Sequence, residues 1–362
     1  MRLVSLSLRN FRNYKEAGFG PAEGINLLIG ENTAGKTNLL EVIHFCLCGY
    51  SFRTVREYEA IRTGENKAVL RATVNKGGLD SGTAVEISSS GKRLILNGKE
   101  VSRRAFPGYL AVLLFRPEDL QITAGSPGER RRFFDNIFMG TLPGYYSSYR
   151  KYHQALSHRN ALLRRFQGSD KATPELRIWT EAVADTGSVL TLLRFKALAS
   201  IAPIVASYYR EIAGAKLSVR YLGSAGVAES ESAFKERFFE KLLSIEKQEL
   251  QSGQTLVGPH RDDFSFLVDG RDLRHQGSRG EQRTAVLATK LAEARLLEQR
   301  ENERIVCLLD DIFSELDYKR RGALSSALAG RQVFITATEP VADLKGCTFW
   351  IESGTIKIKP GG

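Results

Sequence analysis

The sequence contains little cysteine, no internal repeat and no persistent heptad pattern. Its four cysteines, Cys46, Cys48, Cys307 and Cys347, lack the paired Cys-x-x-Cys spacing of a zinc site and are too few for a disulfide framework in 362 residues. No segment approaches the roughly 18 apolar residues that we expect of a membrane span. These absences argue against a disulfide scaffold, a membrane protein and a long coiled coil, and they favour a cytoplasmic protein with reduced thiols.

The length and charge of the chain limit the classes of protein to which it can belong. A single core usually stops growing near about 250 to 300 residues, so we expect a main domain with an insertion. The 52 Lys and Arg exceed the 41 Asp and Glu, which gives a net charge of +11. Such an excess favours a polyanionic partner through phosphate contacts, although a basic but otherwise ordinary surface is an equal alternative.

The first third of the chain is typical of an antiparallel β layer beside one helix. The run from Lys36 to Cys46 has helical periodicity, and Asn97-Gly98 is a strong signal for a tight hairpin turn. Strands are predicted at Leu3 to Leu8, Ile25 to Ile29, Ala68 to Val74, Ala84 to Ile87 and Arg93 to Leu96.

Between residues 125 and 253 strands become scarce and helical patterns dominate. One helical face covers residues 149 to 166, and an amphipathic stretch covers residues 229 to 250. Between them, Thr173-Pro174 offers an N-cap and a proline at N1 for a helix that runs to Gly214. A helix of about 40 residues reaches only about 60 Å, so this segment predicts a short helical arm.

After residue 253 the alternation of helix and strand returns. Residues 279 to 299 have helical periodicity, and residues 305 to 309 and 332 to 337 are the continuous apolar runs of buried parallel strands. The expected fold class is therefore α/β, with a P-loop ATPase head that is split along the chain. The expected boundaries are residues 1–124 for the first part of the head, 125–253 for the inserted helical arm, and 254–362 for the second part.

A phosphate-binding loop lies between the second predicted strand and the first predicted helix. Residues 30 to 37 match the P-loop pattern GxxxxGK[ST]. In such a loop backbone N–H groups surround the phosphates of ATP, Lys36 reaches the β and γ phosphates, and the Thr37 hydroxyl binds Mg²⁺. A chance glycine turn before a helix is the alternative. The predicted nucleotide-binding residues here are Gly30, Glu31, Asn32, Thr33, Ala34, Gly35, Lys36 and Thr37.

A pair of carboxylates follows the apolar run at residues 305 to 309. Asp310-Asp311 would lie at the carboxyl end of a parallel strand, where a Walker B motif holds the metal. We predict that Asp310 holds Mg²⁺ and that Asp311 orients or deprotonates the attacking water, with Lys36 as the third catalytic residue. A capped strand end is the alternative.

The segment Ser278-Arg279-Gly280-Glu281-Gln282 separates the classes of protein that share a P-loop: kinases, GTPases, AAA motors and ABC heads. It resembles the ABC signature, in which Ser278, Gly280 and Gln282 would meet the γ-phosphate held by the opposite subunit. Its simpler interpretation is a capping box, with Ser278 as N-cap and Glu281 at N3. Both can hold together, because a capped helix N-terminus presents N–H groups to an anion.

Three further positions bear on turnover. Ser314-Glu315-Leu316-Asp317 resembles the D-loop of ABC proteins, and Thr338 lies where many of them keep a switch histidine. Thr338 can form hydrogen bonds but cannot carry a charge, and Asp311 stands where these enzymes generally have Glu. Slow ATP hydrolysis, suited to a timed switch, is therefore expected.

Several blocks, in order and spacing over nearly the whole chain, resemble the RecF family of ABC/SMC-like ATPases, which are bacterial DNA replication and repair proteins. The resemblance implies an SMC-like head with a short helical arm that forms a homodimer when it binds ATP. The blocks are residues 8 to 14, 30 to 32, 115 to 120, 125 to 127, 130 to 135, 258 to 263 and 278 to 284.

The resemblance also implies a role. It implies a weak, DNA-stimulated ATPase that clamps double-stranded DNA near gaps and double-strand/single-strand junctions. With RecO and RecR as partners it would help to load RecA in recombinational repair, replication and the SOS response. One P-loop and one signature per chain cannot complete a sandwich site, so two identical chains would supply two complete sites.

Two features within these blocks have both a functional and a structural interpretation. Arg12 would approach the nucleotide or, alternatively, form an ion pair or remain exposed. The run from His260 to Asp263 suggests a metal or catalytic cluster, or else a structural knot of ion pairs.

Basic residues concentrate between residues 129 and 166, where eight of them face only two acidic residues. Such a stripe would follow a duplex backbone without reading bases, whereas a solvated helical face is the alternative. The residues predicted to contact DNA are Arg130, Arg131, Arg132, Arg150 and Lys151, and the remaining basic residues are Arg159, Arg164 and Arg165.

Three rival classes of protein make different demands on the sequence. An SMC protein or a nuclease-associated relative would need hundreds of heptad residues between the Walker motifs, and they are absent. A single-site P-loop kinase would have no use for the signature. A structural DNA-binding protein with a vestigial P-loop would keep its affinity for DNA when Lys36 is replaced by Ala or Asp310 by Asn.

Overall fold

The computed structural model describes residues 1–54, 56–109, 111–169, 173–224, 226, 231–341 and 344–358. The chain divides into two compact units. The first contains Met1–Asp119 and Glu293–Gly362, and the second contains Leu120–Ala292. The first unit therefore brings the two ends of the chain into one body.

The N-terminal part of the first unit surrounds one buried helix with strands. The Asn97-Gly98 turn has positive φ angles of 49° and 79°, and it closes a hairpin as its sequence predicts. The elements are β1 (Arg2–Phe11), β2 (Tyr14–Phe19), β3 (Ile25–Ile29), α1 (Lys36–Cys48), β4 (Lys67–Lys76), β5 (Leu79–Ser88), β6 (Gly91–Leu96), β7 (Lys99–Glu100) and β8 (Val112–Phe115).

The second unit is mainly helical. Thr173 caps its longest helix by accepting the Leu176 N–H, Pro174 occupies the first turn, and Gly214 ends the helix with a φ angle of 74°. The elements are α2 (Pro127–Thr141), α3 (Tyr145–Arg165), α4 (Pro174–Ala213), β9 (Leu217–Leu222), α5 (Glu231–Ser244), α6 (Glu246–Ser252), β10 (Asp263–Val268), β11 (Arg271–Asp272), α7 (Leu273–Gln276) and the start of α8 (Arg279–Glu301).

The amphipathic stretch predicted for residues 229 to 250 forms two helices, α5 and α6. The first two residues of that stretch, Glu229 and Ser230, lie outside the described residues.

The C-terminal part of the first unit completes a largely parallel sheet. Its elements are β12 (Val306–Asp310), α9 (Tyr318–Leu328), β13 (Gln332–Ala337), β14 (Cys347–Glu352) and β15 (Thr355–Ile358). The strand order is β15-β14-β3-β13-β12-β8, in which only β15 runs antiparallel to its neighbour. Strand β3, which precedes the P-loop, is therefore separated from the Walker B strand β12 by β13.

The second sheet of the first unit is antiparallel, with the order β2-β1-β4-β5-β6-β7. Helix α1 packs against strands of both sheets, and its residues Leu39, Ile43 and Phe45 are fully buried in one continuous core. Since α1 begins at Lys36, this packing fixes the helix N-terminus on which phosphate binding depends.

The helical interpretation of residues 125 to 253 overlooked β9. This strand pairs antiparallel with β10, with Val219 opposite Phe266. The pairing places β10 in the second unit, which continues to Ala292, beyond the boundary expected at residue 253. Its first residue is Leu120, close to the expected residue 125.

Helix α4 corrects the expectation that no segment resembles a membrane span. By length and composition alone it could cross a membrane. It also packs against α3, α5 and β9, and its Arg194 is buried against Asp135. A buried, ion-paired arginine of this kind also occurs in helices of globular units.

Candidate nucleotide site

The P-loop connects the end of β3 to the start of α1. The Gly30 N–H donates to the Ala337 carbonyl at 3.3 Å, which ties the beginning of the loop to the end of β13. Gly35 precedes the helix with a φ angle of 115°, a conformation that favours glycine, and it has no side chain to cap the first turn. The first turn of α1 therefore keeps its N–H groups for an anion.

Lys36 folds back over the loop. Its Nζ donates to the carbonyl oxygens of Gly30 at 2.5 Å and Glu31 at 2.9 Å. Burial lowers the pKa of the Lys36 ammonium, and the nearby carboxylates of Asp311 and Asp310 act in the opposite direction. The ammonium is thus held beside the loop and the Walker B carboxylates.

The Walker A and Walker B motifs meet directly. The Thr37 hydroxyl donates to Asp310 Oδ1 at 2.8 Å. Burial raises the pKa of the Asp310 carboxyl, hydrogen bonds from Thr336 and Thr37 oppose this shift, and the charges of Glu118 and Asp311 reinforce it. A hydroxyl and a carboxylate are the hard oxygen donors that Mg²⁺ prefers, so these side chains fit the metal that the motif implies.

Two of the groups just named were not singled out from the sequence. Glu118 follows β8, which pairs with β12 and so brings the Glu118 charge close enough to affect the pKa of Asp310. Thr336 lies on β13, opposite Asp310 in the strand register. Strand register decides the position of Thr336, and the block from residue 115 to residue 120 was the only sequence signal for Glu118.

The outer side of the P-loop is held by hydrogen bonds from two neighbouring turns. Asn13 Nδ2 and the Gly354 N–H both donate to the Ala34 carbonyl, at 2.9 and 3.2 Å. The Tyr14 hydroxyl donates to the Gly35 carbonyl at 3.0 Å. These bonds satisfy the carbonyl groups of Ala34 and Gly35. Asn13 and Tyr14 lie in the block from residue 8 to residue 14, which was the only sequence signal for them.

Arg12 adopts the ion-paired alternative. Its guanidinium donates to Glu41 at 3.1 and 3.0 Å, and the Glu41 side chain is fully buried on α1. Glu41 also accepts a hydrogen bond from the Ser51 hydroxyl. The pair braces the P-loop helix, while a contact between Arg12 and the nucleotide stays a prediction.

Asp311, the D-loop segment and Thr338 surround the end of the Walker B strand. Asp311 has a φ angle of 50°, and the Ser314 hydroxyl donates to its carbonyl at 2.7 Å. Asp317 caps α9 by accepting the Arg320 N–H at 2.9 Å. Thr338 is exposed just beyond β13. Their roles in hydrolysis stay predictions.

The signature segment lies in the second unit and forms the predicted capping box. The Ser278 N–H donates to Glu281 at 2.8 Å, and the Ser278 hydroxyl accepts the Glu281 N–H at 3.2 Å. The Gln282 amide donates to the Leu273 carbonyl at 2.7 Å. Ser278 is exposed and Gly280 half-buried beside it, whereas the Gln282 donor is already engaged inside its own unit.

The structure corrects the predicted DNA-contacting set at Arg130. This side chain is 2% exposed, and it forms a bidentate pair with Asp263 at 2.8 and 2.7 Å. The neighbouring Arg131 is half-buried and donates to the Asp262 carbonyl. Arg159 is fully buried against Glu249. These arginines are buried because carboxylates from distant parts of the chain pack against them in the tertiary structure.

Other basic residues of the stripe remain accessible. On α3 the exposed positions recur every three or four residues, so they form one face of the helix. We define this exposed basic face by Arg132 of α2 and by four residues of α3, namely Arg150, Lys151, Arg164 and Arg165.

The run from His260 to Asp263 forms the structural knot of the second interpretation. His260 lies within hydrogen-bonding distance of the Tyr152 hydroxyl, at 2.6 Å, and of the Thr255 carbonyl, at 3.0 Å. Because a carbonyl only accepts, His260 Nε2 carries the proton and Nδ1 accepts from Tyr152. Burial lowers the pKa of His260 to about 4. Asp262 accepts from the Tyr221 hydroxyl and the Ser224 N–H. Across the described residues no group of three or more His, Cys, Asp or Glu side chains could hold a metal ion.

Comparison with known proteins assigns the family. Residues 2–342 match the model of the RecF/RecN/SMC N terminal domain. The DNA replication and repair protein RecF of Desulforudis audaxviator is 36% identical over 362 residues, which cover 99% of each chain. The chain belongs to the RecF family.

Solved structures agree with this assignment. A structure of the recombination mediator protein RecF-ATPrS in the RecFOR pathway has a TM-score of 0.91 and 33% identity, covering 99% of this chain and 98% of the other. An SMC head bound to the C-winged helix domain of ScpA has a TM-score of 0.56 at 15% identity, which reflects the fold alone. The expected α/β head of the ABC/SMC type, with an antiparallel sheet and helical segments, is confirmed for this RecF-family chain.

Proposed function

We propose that this RecF-family protein is an ATP-dependent, DNA-binding recombination mediator of the cytoplasm. ATP with Mg²⁺ drives two chains into a homodimer that clamps double-stranded DNA near gaps and junctions. The dimer acts with RecO and RecR to help load RecA in recombinational repair, replication and the SOS response. Slow, DNA-stimulated hydrolysis then resets the clamp. The observation that carries the proposal is the hydrogen bond between Thr37 and Asp310, which joins an intact P-loop to the Walker B strand.

The nucleotide chemistry follows from the geometry of the first unit. The N–H groups of the loop and the Lys36 ammonium bind the phosphates, and the side chains of Thr37 and Asp310 would hold Mg²⁺. When bound, the metal neutralises the charge that develops on the transferred phosphoryl group. Asp311 accepts a hydrogen bond from the attacking water and orients it. Since Asp311 has a shorter side chain than Glu, its reach is smaller and turnover is slow.

A homodimer is required because each site needs parts from two chains. The P-loop and the signature occur once per chain, so one chain cannot cover its own γ-phosphate in the manner of an ABC sandwich. The exposed Ser278 at the start of α8 would supply the second half of the site to the other chain. Nucleotide binding and dimerisation are then linked, and each strengthens the other.

The exposed basic face of α2 and α3 would contact the duplex. Arg150 and Arg164 are 14 residues apart on one helix, which corresponds to roughly 21 Å. That length spans several phosphates of one strand, spaced about 3.4 Å apart along the helix axis. Phosphate contacts of this kind do not read bases, so the proposal predicts binding without sequence preference.

Sedimentation with and without ATP and Mg²⁺ tests the dimer. The wild-type chain should shift from monomer to dimer on ATP. Ser278→Arg should bind ATP and stay monomeric, because a bulky cation replaces the small residue that caps α8. Ser126→Arg is the matched control, since Ser126 forms a capping box with Glu129 at the start of α2 and should leave dimerisation intact. A Ser278→Arg variant that dimerises with normal affinity contradicts the signature assignment.

Binding to duplex DNA at several salt concentrations tests the basic face. The double substitution Arg150→Glu and Lys151→Glu should weaken binding and reduce the salt slope by roughly 0.9 for each phosphate that the variant no longer neutralises. The double substitution Lys241→Glu and Lys247→Glu, at exposed positions of α5 and α6, changes the net charge by the same amount. It is the control and should have little effect. Equal weakening in both variants would mean that net charge, and not this face, governs binding. Unchanged DNA binding in Lys36→Ala would favour the vestigial P-loop.

A further inference from the structure

Thr336 contacts both Walker B aspartates through one hydroxyl group, the first at its carboxylate and the second at its backbone N–H. It lies on β13, directly opposite Asp310 in the parallel register, and is 1% exposed. Its Oγ1 lies 2.8 Å from Asp310 Oδ1 and 2.8 Å from the Asp311 backbone nitrogen. A buried hydroxyl that contacts both residues of the motif can set the position of both.

The direction of each hydrogen bond is fixed by its partner. The ionised carboxylate of Asp310 only accepts, so the Thr336 hydroxyl donates to it. The Asp311 N–H only donates, so the same oxygen accepts from it. Asp310 Oδ1 also receives the Thr37 hydroxyl at 2.8 Å. Two hydroxyl groups, one from the P-loop helix and one from β13, thus hold the same carboxylate oxygen.

The hydrogen bond from the Asp311 N–H to Thr336 also stabilises an unusual backbone conformation. Asp311 adopts a φ angle of 50°, the left-handed region that residues other than glycine rarely occupy. This conformation turns the chain sharply at the end of β12. The Thr336 hydroxyl holds the N–H of that turn, so it stabilises the backbone from which the Asp311 side chain projects.

We propose that Thr336 is a positioning residue for ATP hydrolysis, which holds Asp310 toward the metal and Asp311 toward the attacking water. The inference rests on the proposed ATPase function and adds a residue that no motif contains. A purely structural hydroxyl at a strand end is the competing account. The two accounts differ in what happens when the hydroxyl is removed and then restored.

The test compares Thr336→Val, which removes the hydroxyl and keeps the branched shape, with Thr336→Ser, which keeps the hydroxyl. Thr83→Val is the matched control, because Thr83 is a buried strand threonine of the same unit whose hydroxyl faces the Ala72 carbonyl. The measurements are ATP turnover, nucleotide affinity with and without Mg²⁺, and the temperature of unfolding.

Thr336→Val should bind ATP without Mg²⁺ as the wild type does, gain less affinity when Mg²⁺ is added, and show a kcat lower by roughly ten- to a hundredfold with little change in KM. Thr336→Ser should recover most of that activity, and Thr83→Val should match the wild type. The proposal is overturned by a Thr336→Val variant with wild-type kcat and Mg²⁺ dependence, or by a Thr336→Ser variant as impaired as Thr336→Val. Equal loss of affinity with and without Mg²⁺, together with a lower unfolding temperature, also overturns it.

Failure of the proposed function gives a different result. If the wild-type chain hydrolyses no ATP, the ATPase proposal falls, and the Mg²⁺ dependence of nucleotide affinity decides the role of Thr336 alone. In that case a reduced Mg²⁺ effect in Thr336→Val supports the positioning of Asp310, and an unchanged effect overturns it.

Discussion

Gly30 is a position in the P-loop where one added methyl group should weaken nucleotide binding. A Cβ atom there would lie 2.3 Å from the Ile351 carbonyl oxygen, whereas ordinary van der Waals contact begins near 3.4 Å. The obstacle is backbone of β14, which pairs with β3 beside the loop. Because no side chain can rotate away, the loop or the strand has to move by about 1 Å in the Gly30→Ala variant.

The magnitude follows from the cost of overpacking. Forcing an extra methyl group into a packed site typically costs about 1 to 3 kcal/mol. If the loop avoids this cost by leaving its binding geometry, nucleotide affinity falls by roughly 5- to 150-fold. If the strain remains in the folded state, the first unit unfolds at a temperature lower by about 2 to 4 °C for each kcal/mol.

Titration with a fluorescent ATP analogue, together with thermal unfolding, measures both outcomes. Gly24→Ala is the matched control, since an added Cβ at Gly24 meets nothing within 4 Å. We expect its affinity and unfolding temperature to match the wild type. A Gly30→Ala variant with wild-type affinity and stability would refute the argument, because it would show that the β14 backbone does not constrain the loop.

Other contacts give three further predictions. Arg194→Met should lower the free energy of unfolding by about 3 to 5 kcal/mol, because it leaves the buried Asp135 carboxylate unpaired; urea unfolding measures this, and Asp135→Asn in the same chain should restore part of it. His260 is neutral when folded, with its pKa lowered from 6.5 to about 4. Its stabilisation is therefore complete above pH 6.5 and is lost as the pH falls toward 4. As the pH rises from 4 to 6.5, the free energy of unfolding of the wild type should increase by up to about 3 kcal/mol relative to that of His260→Asn. A difference between the two that does not change with pH would contradict the assignment. Asn13→Ala should weaken ATP binding by about fivefold, because its hydrogen bond to the Ala34 carbonyl is removed; unchanged affinity would mean that Gly354 alone suffices.

Features that depend on neighbouring residues could be predicted from the sequence. The P-loop, the capping box at Ser278 and the Asn97-Gly98 turn each depend on glycine conformations or on hydrogen bonds within four residues. Some strands of the head, namely β1, β3 to β6, β12 and β13, could also be predicted, because their apolar runs and alternation record which faces are buried. The strands β2, β7, β8, β14 and β15 of the head were not predicted. The strand β9 was overlooked, since six alternating residues between long helices gave a weak signal beside the helical pattern.

Charged residues were harder to place, because their environment comes from distant segments. Arg130 and Arg159 looked like members of one basic stripe, yet Asp263 and Glu249, about 90 to 130 residues away in sequence, bury them in ion pairs. A spacing pattern along a helix does not tell whether an arginine faces solvent or an internal carboxylate. Burial decides this, and burial depends on the packing of the whole unit.

By itself the sequence determined the chemistry of the nucleotide loop, the order of the motifs and the family to which they belong, because short segments with restricted backbone geometry record these features. Only the tertiary structure decided which groups complete the site. Thr336 lies beside Asp310 through the register of β13, the charge of Glu118 acts on the pKa of Asp310 from the turn after β8, and Asn13 supports the loop from a separate turn. Parallel strands bring residues together without any fixed spacing in sequence, so contacts of this kind follow from the assembled sheet.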